Sequence, residues 1–139
     1  MKITIVTTPI RPNPTNFPPF GSLALIKHLK KNGYDDIDFY HIDGNRPDYD
    51  EVLRYFEEKK PDVVGISAVV STAYEYSKKL SLDIKSMYPN CCVVLGGNMG
   101  ASANVLLRKA AIDLIVLGEG EEIFLDVVRK LEKTNNLDD

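Results

Sequence analysis

Asp62 to Val70, DVVGISAVV, is the segment that most limits what this chain can become. It is the most strand-like run in the sequence and reads as the central strand of a sheet. Gly65 within it signals a close neighbour. Leu114 to Leu117, LIVL, is a second run of branched apolar residues with no polar alternation. Such runs suit strands covered on both faces, as in parallel sheets flanked by helices.

Three more strands are predicted: Lys2 to Thr7, Ile37 to Ile42, and Cys92 to Leu95. Helical periodicity fills the intervals. The first helix is expected from Phe20 to Asn32, with Leu23, Leu25, Ile26 and Leu29 as its apolar stripe and Gly33 as its stop. His28 falls among lysines on what reads as a solvated face, so no role is assigned to it. The second helix spans 49–59, capped by Asp48 or Asp50, with Val52, Leu53 and Phe56 inward. The third spans 73–88, with Ala73, Tyr76, Leu80, Ile84 and Met87 at helical spacing and Pro89 beyond it. A short fourth covers 103–110. A fifth runs from Glu121 to Lys133, with Ile123, Phe124, Val127, Val128 and Leu131 on its apolar face. This βα alternation predicts an α/β fold with a doubly wound, five-stranded parallel sheet, flavodoxin-like, in the order 2-1-3-4-5.

In such sheets ligands bind outside the carboxyl ends of the strands, so the loops at that edge carry the functional reading. The first, Thr8 to Gly21, holds five prolines and two phenylalanines, Phe17 and Phe20. It is long for a βα connection, and long loops are commonly functional. A passive lid over the sheet edge is the alternative. After the third strand come Ser67, Ser71 and Thr72; Ser71 or Thr72 suits a helix N-cap, but three small polar groups together also suit a ligand. After the fourth strand comes GGNMG, where Gly96, Gly97 and Gly100 permit close backbone approach. After the fifth comes Gly118-Glu119-Gly120, followed by Glu121 and Glu122. These glutamates also favour a helix start through the helix dipole. His41 and Asp43 sit at the end of the second strand. Packing or hydrogen bonding accounts for the first. A turn before Gly44 accounts for the second, although an acidic residue there can also bind a ribose.

Other chemistries are excluded by what the sequence lacks. The net charge is −3 and no basic stripe forms, which argues against a nucleic-acid surface. No apolar run has the length of a membrane span. The two cysteines, Cys91 and Cys92, are adjacent and would face opposite sides of a strand. No disulfide or metal motif results, and a reducing cytoplasm is expected. The sequence contains no P-loop, no GxGxxG and no metal-spaced histidine pair. No catalytic set stands out. Prolines in the first loop remove the N–H donors that a phosphate cradle requires.

The proline-bearing loop running into PPFGSLALIKHLKKNGY, with PDVVGISAVVSTAYEYSKKL, VVLGGNMG and DLIVLGEGEEIF, resembles the cobalamin (vitamin B12)-binding domain at the N-terminus of radical S-adenosylmethionine enzymes. The resemblance covers residues 1–133; residues 134–139 then read as a tail or the start of a linker. It implies a corrin over the carboxyl edge of the sheet, with its nucleotide tail reaching into that edge. By position it implies contacts from Thr8, Pro9, Phe20 and Gly21; from Ser67, Val69, Ser71 and Thr72; from Gly96, Gly97 and Asn98; and from Gly118, Glu119 and Gly120. The wider superfamily ligates cobalt through a DxHxxG motif after the first strand. No histidine stands there in this chain, so no such ligand is expected, nor is any other metal ligand. Relatives with a histidine or proline after the paired glycines differ from the Asn98-Met99 found here. The CxxxCxxC motif that holds a 4Fe-4S cluster is absent. The cluster and S-adenosylmethionine would therefore belong to a separate module of a methyltransferase- or cyclase-type parent, of which this chain is expected to be a piece that is not catalytic alone. Two alternatives stay open at this point: a degenerate docking or substrate-positioning domain, and a free-standing flavodoxin-like nucleotide binder.

Overall fold

The computed structural model describes residues 1–9, 19–67, 74–97, 111–117 and 121–134. Five strands form one sheet: β1 (Ile3–Thr7), β2 (Ile37–His41), β3 (Val63–Ser67), β4 (Cys92–Gly97) and β5 (Leu114–Leu117). All pairings are parallel, and the spatial order is β2-β1-β3-β4-β5. The central position expected for the Asp62–Val70 segment is therefore occupied by β3. Five helices are described: α1 (Phe20–Lys31), α2 (Ile42–Asn45), α3 (Tyr49–Lys59), α4 (Tyr74–Met87) and α5 (Glu121–Thr134). The short α2 occupies what reads in sequence as a polar turn. The expected helix over 103–110 and the Ser71 or Thr72 cap lie outside the described residues.

Alternation along each strand divides the core in two. Val6, Val64, Ile66, Val93 and Leu95 pack with Val52 and Phe56 of α3 and Leu80 and Ile84 of α4. On the other face Ile3, Ile5, Val63 and Val94 pack with Leu29 of α1 and Phe124, Leu125, Val128 and Leu131 of α5. Cys91 joins the first cluster and Cys92 the second; both thiols are free and buried, on opposite faces as the sequence implies.

Two helix stripes are rotated from their expected positions. Leu23 is 43% exposed while Ser22 is 5% exposed. The inward stripe of α1 is therefore Ser22, Leu25, Ile26 and Leu29. On α5, Ile123 is 46% exposed and Leu125 takes its inward place. At 100° per residue both choices keep helical spacing; the sheet face that each helix covers decides between them. His28, expected on a solvated face, lies against α5 with Nε2 3.0 Å from Glu122 Oε1.

The amino edge is held by polar contacts. Asp62 Oδ2 accepts from the Lys2 N–H at 2.8 Å. Asp113 Oδ2 accepts from the Val93 N–H at 2.8 Å and pairs with Lys85 Nζ at 2.7 Å. Asp48 caps α3, accepting from the Glu51 N–H at 3.0 Å.

Burial favours the protonated forms of several acids in the core. It pushes the phenols of Tyr55 and Tyr76 up to about 12, the Cys91 thiol up to about 12 and the Cys92 thiol up to about 11. A folded pKa above the unfolded one gives stability that is complete below the unfolded pKa and lost as pH rises through the folded one. The window starts near the ordinary thiol value of 9.0 and closes near 12. The urea midpoint is therefore expected to fall steeply above about pH 9. The part of the phenolate absorbance that Tyr55 and Tyr76 contribute should appear together with the loss of helical circular dichroism, not before it.

Candidate functional site

Parallel strands in register place their last inward residues in one row. On the α1/α5 face that row is His41, Thr7, Ser67, Gly96 and Val116 across β2, β1, β3, β4 and β5. The row beneath it is Phe39, Ile5, Gly65, Val94 and Leu114. The core is therefore apolar up to the last row, which becomes polar or small across β2, β1, β3 and β4 and stays apolar only at Val116. The first turns of α1 and α5 flank this row, because both helices begin at the carboxyl edge.

Between β1 and β3 the chain reverses its direction of travel across the sheet, which opens a crevice at that edge. The two strands are joined just past their ends. Thr8 donates to the Ser67 carbonyl twice, from its backbone N–H at 3.2 Å and from its hydroxyl at 3.0 Å. Thr8 is 2% exposed and Thr7 7% exposed, so these hydroxyl residues belong to the fold's interior. The Ser67 side chain, partly buried, stands on the α1/α5 face beside Gly96.

At the β2 end, Thr7 is the hub of a second network. Its Oγ1 accepts from the Asp43 N–H at 3.1 Å and lies 2.8 Å from His41 Nδ1. The His41 ring stacks on Phe39 with centroids 5.6 Å apart. A Cβ at Gly44 would collide with that ring. His41 is thus packed and hydrogen-bonded. Asp43 is 4% exposed, and its Oδ1 lies 2.8 Å from Arg46 Nη2. The Arg46 Nε–H also donates to the Asp43 carbonyl at 2.7 Å. The Asp43 carboxylate therefore braces the α2 turn.

Gly96 differs from the other row members. Among the described residues, a Cβ built there would meet no heavy atom within 4 Å. Its φ is not in the left-handed range, so the missing side chain serves space rather than backbone conformation. β4 also extends through Gly97, beyond the Leu95 expected, and Gly97 pairs with Leu117. The two glycines are therefore held as strand, not as a loose loop. A strand glycine whose Cβ position meets no heavy atom of the described residues within 4 Å, beside a partly buried serine at the carboxyl edge, can let a ligand group lie against the backbone.

Of the residues expected to contribute, the structure joins Thr8 to Ser67 and sets Ser67 beside Gly96, with Gly97 next in the strand. Pro9 follows Thr8, and Phe20 and Gly21 open α1 at the same edge. Val69, Ser71, Thr72, Asn98, Gly118, Glu119 and Gly120 lie outside the described residues. Sequence reasoning did not single out Thr7 or Ser22. The signals available were the pairing parity of Thr7 with His41 and the i, i+4, i+7 spacing of Ser22 with Ile26 and Leu29.

Among the described residues, no set of three or more His, Cys, Asp or Glu side chains is placed to hold a metal ion. Among the described residues, too, no helix is long and apolar enough to cross a membrane. A cavity of about 300 Å³ lies at the opposite edge, lined by Lys60, Asp62, Tyr88, Asn90, Cys91 and others. It faces the amino ends of the strands, away from the crevice where this architecture binds ligands.

Residues 11–128 match the B12 binding domain family, and the chain belongs to that family. It is 33% identical over 120 residues to the anaerobic magnesium-protoporphyrin IX monomethyl ester cyclase of Rubrivivax gelatinosus. That match covers 85% of this chain and 21% of the cyclase, so the chain spans about a fifth of that relative's length. The radical S-adenosylmethionine methyltransferase TsrM from Kitasatospora setae, solved with cobalamin and a [4Fe-4S] cluster, superposes with a TM-score of 0.78 at 20% identity. The superposition covers 99% of this chain and 28% of that one. A cobalamin-binding protein from Desulfitobacterium hafniense superposes with a TM-score of 0.64 at 14% identity, over 93% of this chain and 58% of that one. At these identities the two structures report the shared fold. The resemblance drawn from the sequence motifs and the family match agree.

Replacing Thr7 with valine keeps its shape and removes the hydroxyl that the Asp43 N–H and His41 Nδ1 share. A buried donor left without its acceptor costs about 1–3 kcal/mol. Thr7→Val is expected to lower the unfolding free energy by about that amount in a urea titration, and Thr7→Ser to recover most of it.

Proposed function

We propose that this chain holds cobalamin at the carboxyl edge of its sheet, as the cofactor-binding module of a larger radical S-adenosylmethionine enzyme of methyltransferase or cyclase type. The observation that carries the reading is Gly96, whose Cβ position is clear of every described heavy atom within 4 Å, in register with Ser67, in a chain of the B12 binding domain family. The length of the cyclase relative and the multidomain setting of TsrM support a larger parent.

In this reading Ser67 offers its hydroxyl to the amide arms, ribose or phosphate of the nucleotide loop. Gly96 and Gly97 let that loop lie against strand backbone. Thr8, Pro9, Phe20 and Gly21 line the approach from the β1 side. Val69, Ser71, Thr72, Asn98, Gly118, Glu119 and Gly120 complete the contacts by their place in the family pattern. Bound cobalamin supplies a cobalt that can carry and transfer an alkyl group. The protein's own part is to bind, to orient and to shield one corrin face. No histidine of this chain is assigned to cobalt: His41 is engaged by Thr7 and Gly44, and His28 by Glu122.

The test mixes the purified domain with hydroxocobalamin, removes free ligand by desalting and records the visible spectrum. Retained corrin with a shifted spectrum is expected at about 100 µM ligand, a concentration that detects binding of roughly −5 kcal/mol or better. Gly96→Leu should fold with a nearly unchanged melting temperature, since no heavy atom of the described residues lies within 4 Å of a Cβ there. It should weaken retention by about tenfold or more, about 1.4 kcal/mol. Absence of retention by both the domain and its full-length parent would sink the proposal and favour a docking role for the domain.

A further inference from the structure

The uncrowded backbone at Gly96 is not repeated one row below. Gly65 lies one inward position beneath Ser67 and diagonally beneath Gly96, and it too lacks a side chain. Two strand residues correspond to about 7 Å of depth. Over Gly65, however, the space is filled. A Cβ there would stand 3.0 Å from Phe124 Cε2, 3.2 Å from Phe124 Cζ and 2.9 Å from Ile5 Cδ1. Phe124 is 4% exposed. It lies in the first turn of α5, so it is the inward-facing aromatic of that helix nearest the carboxyl edge. Glycine at 65 permits the edge of the ring to approach the sheet closely at that depth.

We infer that Phe124 is the floor of the crevice and the residue that selects among corrinoids by their nucleotide base. The inference rests on the corrinoid reading above and extends it to the tail. A tail entering beside Ser67 and Gly96 meets an aromatic ring one row down. An aromatic lower base fits that surface, because ring–ring contacts favour offset or edge-on approach at close range. A corrinoid without the nucleotide leaves the floor uncovered. Position 65 sets the floor's height, since any side chain there lifts the ring toward the edge. The same ring seals the apolar core beneath from the polar row above, so binding selectivity and core packing meet in one side chain.

The experiment compares cobalamin with cobinamide, which carries the same corrin without the nucleotide base. Dissociation constants come from equilibrium dialysis read by visible absorbance, with a thermal melt for every variant. Wild type is expected to hold cobalamin about tenfold or more tighter than cobinamide, the size of effect that one well-filled apolar contact gives. Phe124→Leu leaves a gap under the base, and Gly65→Ala lifts the ring into its place. Each should reduce the cobalamin preference by about tenfold while leaving the cobinamide constant within about twofold. Should Gly65→Ala fail to fold, Phe124→Leu decides alone. An unchanged preference in a folded variant overturns the role of Phe124. Equal binding of the two ligands by wild type overturns it too while leaving the corrinoid reading intact. Binding of neither overturns both.

Discussion

A strand buried on both faces is the constraint from which the rest of this structure follows. β3 pairs with β1 on one side and β4 on the other, so it has no free edge. Its side chains alternate between two apolar clusters, each covered by helices. Such a strand suits parallel partners joined by right-handed crossovers, and both of its neighbours are parallel here. The order then forces the chain to reverse between β1 and β3, and the reversal opens the crevice at the carboxyl edge. The position of the site is a consequence of burying Val63 to Ile66, independent of any particular ligand.

What the edge becomes is decided by a few substitutions in register. One row down, Ile5, Val94 and Leu114 are ordinary core residues. At the edge, Thr7 stands above Ile5, Ser67 above Gly65 and Gly96 above Val94, while Val116 above Leu114 stays apolar. The hydroxyls of Thr7 and Thr8 are used internally, to tie β1 to Asp43 and to the Ser67 carbonyl. That fixes the β1–β3 corner and gives Ser67 a defined place beside the glycine gap. The opposite edge is held by charged side chains, Asp62, Asp113 and Lys85. The two ends of the sheet are thus built differently: charged side chains hold one, while hydroxyls and a glycine shape the other.

Much of this was legible in the sequence because it depends on periodicity. The strand runs and the separation of Cys91 from Cys92 follow from spacing; the order of the sheet follows from the doubly wound architecture that the βα alternation implies, and the α3 cap was narrowed to Asp48 or Asp50, of which the structure uses Asp48. Gly96 and Gly97 were visible as residues that permit close approach, but their inclusion in β4 depends on pairing with Ser67, Val116 and Leu117, which no local signal encodes. The inward turn of Ser22 rather than Leu23 is equally non-local, since both fit a helical stripe and only the sheet face chooses. Gly65 was legible as a sign of a close neighbour; that the neighbour is Phe124, some sixty residues on, required the packing of α5. The placement of His28 against Glu122 has the same origin.

The central claim is that the corrinoid occupies the carboxyl edge between β1, β3 and β4. Hydrogen exchange of the domain with and without saturating hydroxocobalamin, read by mass spectrometry, tests it directly. The account predicts slower exchange in peptides covering Thr7 to Pro9, Ser67 and Gly96 to Gly97, with no change around Lys60 to Asp62 or Tyr88 to Cys91. Protection at the amino edge instead, around the cavity lined by Lys60, Asp62 and Cys91, would contradict it.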